Sequence, residues 1–207
     1  MNARDTVLAR LRAATAGSAA VEAPRGYRRR GDLPPGHPDL LDLLVERLTD
    51  YRAVVHRAPA GRVGATVAAV LAGEEARRVV VPPGLPGGWL PPAVDAVRDA
   101  GLGTEALDAV DAVVTGAAVA IAETGTIVLD GSPDQGRRVL TLLPDLHVCV
   151  VARDRVVGTV PEALSRLAPD RPLTWISGPS ATSDIEFERV EGVHGPRRLH
   201  VVVEIGH

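Results

Sequence analysis

Three short segments late in the chain carry the densest chemistry: Ile176-Ser177-Gly178-Pro179-Ser180, Ser183-Asp184-Ile185-Glu186 and Gly192-Val193-His194-Gly195-Pro196. Within about twenty residues they gather three hydroxyls, two carboxylates and one imidazole between two Gly-Pro corners. Such a set suits proton transfer at a small polar ligand. His194 is a candidate base or anion partner. Ser177, Gly178, Ser180 and Gly195 are candidate ligand contacts. Asp184 and Glu186, two apart, share a face of an extended segment. The bland alternatives are a tight turn held by His194 and a short helical turn capped by Ser180 or Ser183. Two carboxylates alone are a weak metal signal, and no histidine spacing resembles a zinc set; no metal is expected.

A second candidate is Ala122-Glu123-Thr124-Gly125-Thr126. Glu123 breaks an apolar run, and a carboxylate there loses hydration unless it is paired or hydrogen-bonded. That makes Glu123 a candidate base or nucleophile. Thr124 and Thr126 would be ligand contacts, and Gly125 would let the backbone approach closely. The alternative is a turn in which these side chains bond only to nearby amides. One strand later, Gly131-Ser132-Pro133-Asp134-Gln135-Gly136-Arg137-Arg138 offers amide donors and paired arginines to an anion. Gly136 and Arg137 are the site candidates, against a plain loop with solvated arginines. There is no Walker A sequence, no Gly-x-Ser-x-Gly elbow and no Gly-x-Gly-x-x-Gly after a strand.

Positioning these segments requires a scaffold. Residues 4–15 have helical spacing, and glycines and prolines break regular structure over 16–38. Inside that stretch, Arg25-Gly26-Tyr27-Arg28-Arg29-Arg30 reads as a solvated basic linker, or as a docking patch for an acidic partner. Asp39 is placed to cap a helix carrying Leu40, Leu41, Leu44, Val45 and Leu48. Strands are predicted at 51–56, 78–81, 112–115, 126–129, 146–152, 173–176 and 199–205. Helices are predicted at 62–73, from Pro91-Pro92 through Val97, and at 160–167. This alternation gives an α/β domain with a mostly parallel sheet covered on both faces. Ligands then belong beyond the carboxyl ends of strands. The division is a helix and basic Pro/Gly-rich linker over 1–38, then the α/β domain over 39–207.

Composition narrows the function classes. The chain has 207 residues, enough for one domain with a sizeable core. Aromatics are 2% of it, so that core is aliphatic. A net charge of -3 and so few aromatics exclude the usual footprints of nucleic-acid binding. The single cysteine, Cys149, excludes an intrachain disulfide or a cysteine-ligated cluster built by this chain alone, and it reads as a core residue. His147 and His200 fall in strands, whereas His37 and His56 read as surface groups. No apolar run reaches the length of a membrane span and no leader is visible, so a cytoplasmic protein is expected.

Taken together, the motifs resemble the lactate-utilisation protein C family, whose module is the LUD domain. The resemblance rests on residues 120–126, Gly136-Arg137, Leu142-Leu143-Pro144 and the three late segments, and covers residues 110–205 in detail. It implies a three-layer sandwich with a mostly parallel sheet, similar to the NagB/RpiA/CoA-transferase group. It also implies a part in oxidising L-lactate to pyruvate beside iron–sulfur partner proteins. In that picture Glu123, Ser177, Ser180, Asp184 and His194 line one cleft for a small carboxylate or cofactor, with Arg137 balancing its charge. His194 takes the proton of the 2-hydroxyl. By analogy of fold alone, Glu123-Thr124-Gly125 is similar to the Glu-x-Gly of class I CoA-transferases. Two alternatives stand: a non-catalytic anion-binding regulatory or assembly subunit, and an independent enzyme acting on a phosphorylated or CoA-linked metabolite. The sequence names no cofactor and leaves a homo-oligomer open.

Overall fold

The computed structural model describes residues 2–18, 22–182, 190–192 and 194–206. Helix α1 (Ala3–Thr15) is capped by Asn2, whose Oδ1 accepts from the Asp5 amide at 2.9 Å, and buries none of its side chains. Helix α2 (Pro38–Asp50) is capped by His37 rather than Asp39. The His37 Nδ1 accepts from the Asp39 amide at 3.2 Å, and Pro38 takes the first turn, where its missing N–H is harmless. His37 is therefore a capping group, not merely a surface one. Leu40, Leu41, Leu44 and Leu48 are buried, each contributing about 2 kcal/mol relative to exposure.

Strand β1 (Val54–Pro59) begins three residues later than predicted. The end of α2 takes up those residues: Tyr51 and Ala53 amides bond back to Arg47 and Leu48, with Arg52 at a φ of 67°. Then come α3 (Val63–Gly73), β2 (Arg78–Val81) and β3 (Asp95–Arg98). The helix predicted from Pro91-Pro92 is absent. Residues 91–94 turn instead, and Asp95–Arg98 form an edge strand beside β2, anchored by Asp95 N–H to the Arg77 carbonyl and Asp99 N–H to the Val81 carbonyl. The strand is short and carries Asp95 and Arg98, as edges commonly are.

Next in order are α4 (Thr104–Asp108), β4 (Ala112–Thr115), β5 (Val119–Ile121), β6 (Thr126–Leu129), β7 (Leu146–Val151) and β8 (Val156–Val157). The short helix α5 (Val160–Leu164), held by a Thr159/Glu162 capping box, stops before the predicted 167. The chain finishes through β9 (Thr174–Ile176), β10 (Ala181–Thr182), β11 (Val190–Glu191) and β12 (Arg198–Ile205).

Six strands form one sheet in the order β1-β12-β7-β4-β2-β3, and every pairing in it is parallel. Its central strands are buried on both faces, which is why they read as unbroken Val, Ile and Leu. Leu199, Val201 and Val203 pack toward α2, whereas Val202, Val148 and Val150 pack toward α3. A second sheet, β8-β5-β6-β9, shares the α2 side and buries Ala120, Ala122, Ile127 and Leu129 there. The layers are therefore α3, the parallel sheet, and α2 together with the second sheet. No helix among the described residues is long and apolar enough to cross a membrane.

Candidate functional site

Strand β9 delivers Ser177-Gly178-Pro179-Ser180. It runs antiparallel to β6 with Ile127 opposite Ile176, which brings Thr126 beside Ser177. Their hydroxyls are 2.8 Å apart, and the Thr124 hydroxyl donates to that of Thr126 at 2.8 Å. A row of three hydroxyls thus joins the turn after Glu123 to the loop after β9. Gly178, at a φ of 85°, crosses the end of α2 so closely that a Cβ would lie 2.4 Å from the Tyr51 carbonyl oxygen. Gly125, at a φ of 57°, meets α2 likewise, its Cβ 2.7 Å from that of Arg47. Both glycines serve chain packing in positions that side chains rarely adopt.

The loop before β12 closes on this one. Ser180 N–H donates to the Pro196 carbonyl at 2.9 Å, and Ser180 Oγ accepts from the His194 amide at 3.0 Å. Gly192 N–H donates to the Ser180 carbonyl at 3.0 Å. Between the interlocked loops and the turn before β7 lies a cleft of about 290 Å³, lined by Ser177, Gly178, Ser180, His194 and Gly195 together with Arg138, Thr141 and His147. It sits at the amino ends of β7 and β12, where His147 and Leu199 are second residues. For the parallel sheet the expected location beyond the carboxyl ends is thereby corrected: the turn before β7 and the loop before β12 feed into those strands, while the 177–180 loop does leave the carboxyl end of β9.

Arg138 is its cation. One terminal nitrogen, Nη1, donates to the Thr141 carbonyl at 3.0 Å and to its hydroxyl at 2.9 Å. Among the described residues no carboxylate lies within salt-bridge distance of it. Partial burial lowers its pKa. His147, fully buried, places Nε2 2.7 Å from the Thr115 hydroxyl. Burial, then the Arg138 charge, push its pKa down to about 3, so the imidazole is neutral. Burial raises the Cys149 thiol to about 12, which makes it inert.

The other expected site residues lie elsewhere. Glu123 is not among the residues lining the cleft; its carboxylate, 43% exposed, pairs with Arg28. The desolvated carboxylate expected there is thus a solvated, paired one, and the basic run is tied down at Arg28. Gly136 and Arg137 line a neighbouring groove of about 650 Å³ with Asp99, Asp130 and Arg171. There Arg137 grips Asp99 with Nε and Nη2 at 2.7 and 2.6 Å. That bidentate pair, with the Leu102 and Gly101 amides, holds the buried Asp99 carboxyl below the usual range against the opposing effect of burial. Asp184 and Glu186 lie outside the described residues. His56, expected at the surface, stacks on His200, with nitrogens 3.1 Å apart. Among the described residues no cluster of three His, Cys, Asp or Glu could hold a metal.

The sequence does not point to Arg138, Thr141 or His147 as site residues, and Arg138 reads there only as half of a paired arginine. The available signal was the spacing of three between Arg138 and Thr141, with a lone polar residue inside the apolar run 146–151.

Residues 94–203 match the family model of the LUD domain. A "Lactate utilization protein C" from Deinococcus radiodurans is 50% identical over 175 residues, 82% of each chain. The chain belongs to the LUD-domain family. A protein of the same name from Bacillus licheniformis is 35% identical over 100 residues, 44% of this chain and 41% of that one. A solved structure of a DUF162-family protein from Deinococcus radiodurans is 45% identical, with a TM-score of 0.71 over 80% of this chain and 96% of that one. Every residue lining the cleft falls inside the LUD-domain match, whereas α1, α2 and α3 precede it.

Proposed function

We propose that this LUD-domain protein takes part in lactate utilisation, in the oxidation of L-lactate to pyruvate together with iron–sulfur partner proteins. The names of its relatives support the setting. The observation that carries the site is the interlock of Ser180 with His194 over a cleft that also holds Arg138. A small carboxylate bound there lies beside the cation, and the His194 imidazole takes the proton of the 2-hydroxyl. Oxidation removes two electrons and two protons in all. With one buried cysteine, this chain can form neither a disulfide nor a cysteine-ligated cluster of its own to receive the two electrons, and they pass to the partners.

The pairing of Glu123 with Arg28 favours a second reading, in which the chain holds the acid while all the chemistry takes place on the partners. Lactate oxidation by the purified partners, with and without stoichiometric amounts of this chain, tests both. Turnover that requires the chain and drops with His194→Ala supports catalysis in the cleft. Turnover that requires the chain but survives that change supports the second reading. Partners that work equally well alone contradict both.

A further inference from the structure

Arg137 and Arg138 are neighbours with the same side chain, and the structure engages them oppositely. A guanidinium has five N–H donors, and its Nε/Nη2 edge is the fork that matches a carboxylate side-on. On Arg137 that edge is filled by the two oxygens of Asp99 at 2.7 and 2.6 Å. On Arg138 both hydrogens of Nη1 are turned to Thr141, which fixes the plane of the group. Its Nε and Nη2 bond to no protein atom among the described residues, and the side chain lines the same cavity as Ser177, Ser180 and His194. His147, also in the cavity wall, is held neutral by burial and by the Arg138 charge and brings no second cation to an anion.

We infer that the Nε/Nη2 edge of Arg138 is the carboxylate anchor of the cleft, holding a 2-oxygenated small acid, a 2-hydroxy or 2-keto carboxylate, with its 2-oxygen toward the serine and histidine wall. Arg137, expected from the sequence to balance the ligand's charge, instead holds the scaffold through Asp99. The inference rests on the reading of the cleft as the site of a small acid, and deepens it. Thr141 is a positioning residue that sets the angle of the fork without touching the ligand.

The test is calorimetric titration of the full chain with L-lactate, pyruvate, propionate and lactamide, the last being a neutral counterpart of lactate. Arg138→Gln, Arg138→Lys and Arg137→Gln are compared with the parent protein. L-Lactate and pyruvate bind the parent protein and Arg137→Gln alike. Arg138→Gln weakens both by about 10- to 100-fold, the value of a charge-assisted bidentate pair. Arg138→Lys falls between, because it keeps the charge and loses the fork. Propionate binds more weakly than lactate, and lactamide weakest. If propionate binds in an Arg138-dependent way and neither lactate nor pyruvate does, the anchor stands while the 2-oxygenated acid and the lactate reading fall. Acids that bind with unchanged affinity to Arg138→Gln, or no acid binding the parent protein, overturn the anchor itself. A circular-dichroism melt of each variant separates loss of binding from loss of fold.

Discussion

The groove around Arg137 and the cleft around Arg138 adjoin each other, yet differ in how their charges are satisfied. In the groove Arg137 meets Asp99 in a bidentate pair and Arg171 meets Asp130 at 3.2 Å, whereas Arg138, which lines both groove and cleft, meets no carboxylate among the described residues. In the cleft the cation is braced, among the described residues, only by the neutral oxygens of Thr141. Arg138 is an exposed residue, so its unfilled edge stays hydrated at little cost and is open to an anion. The difference teaches that an arginine in a loop motif is recognised as a ligand group by what fails to satisfy it, not by its place in the motif.

The largest expected effect sharpens the contrast through His147. Its pKa is 6.5 when unfolded and about 3 when folded. Below 6.5 the unfolded chain takes up a proton that the folded one refuses. Stability therefore falls as pH drops from about 6.5 toward 3, by up to about 1.4 kcal/mol per pH unit. Urea unfolding across this range should show that limb, and His147→Gln should flatten it. The Asp99 limb runs at lower pH. There the depressed carboxyl contributes stability above its ordinary value of 3.8 that is lost on further acidification.

The next effect is Arg137→Gln, which strands the buried Asp99 carboxylate and should destabilise the protein measurably in urea unfolding. Arg138→Gln should cost less than about 1 kcal/mol in the same experiment, since it removes only bonds to Thr141. Equal losses would break the comparison. The smallest effect belongs to the exposed pair at the other motif. Glu123→Gln and Arg28→Gln should each shift stability by about 0.5 kcal/mol or less, and neither should alter acid binding to the cleft.

Much of the scaffold was legible because its causes are local. The leucines at 40, 41, 44 and 48 repeat at helical spacing and are the ones α2 buries. The runs at 78–81, 112–115, 126–129 and 146–151 are strands because both their faces are covered. Strand β3 was not legible. Val94 and Val97 sit three apart after two prolines, a helical signature locally, and only the free edge of β2 recruits residues 95–98, Val97 among them, as a strand. Of the late loops, Ser177, Gly178, Ser180, His194 and Gly195 come together at one cleft, and Asp184 and Glu186 lie outside the described residues. The employment of charge was not legible. Glu123 finds Arg28 from 95 residues away, and Asp99 lies 38 residues before Arg137. Such pairings are decided by tertiary contact, and they determine which of two adjacent arginines remains available.

The most direct measurement follows the arginine side-chain Nε–H resonances by NMR while L-lactate is added, with the two signals assigned from Arg137→Lys and Arg138→Lys. The account predicts that the Arg138 resonance moves and saturates while the Arg137 resonance, already on Asp99, stays in place. Movement at Arg137, or no movement at either, would contradict it.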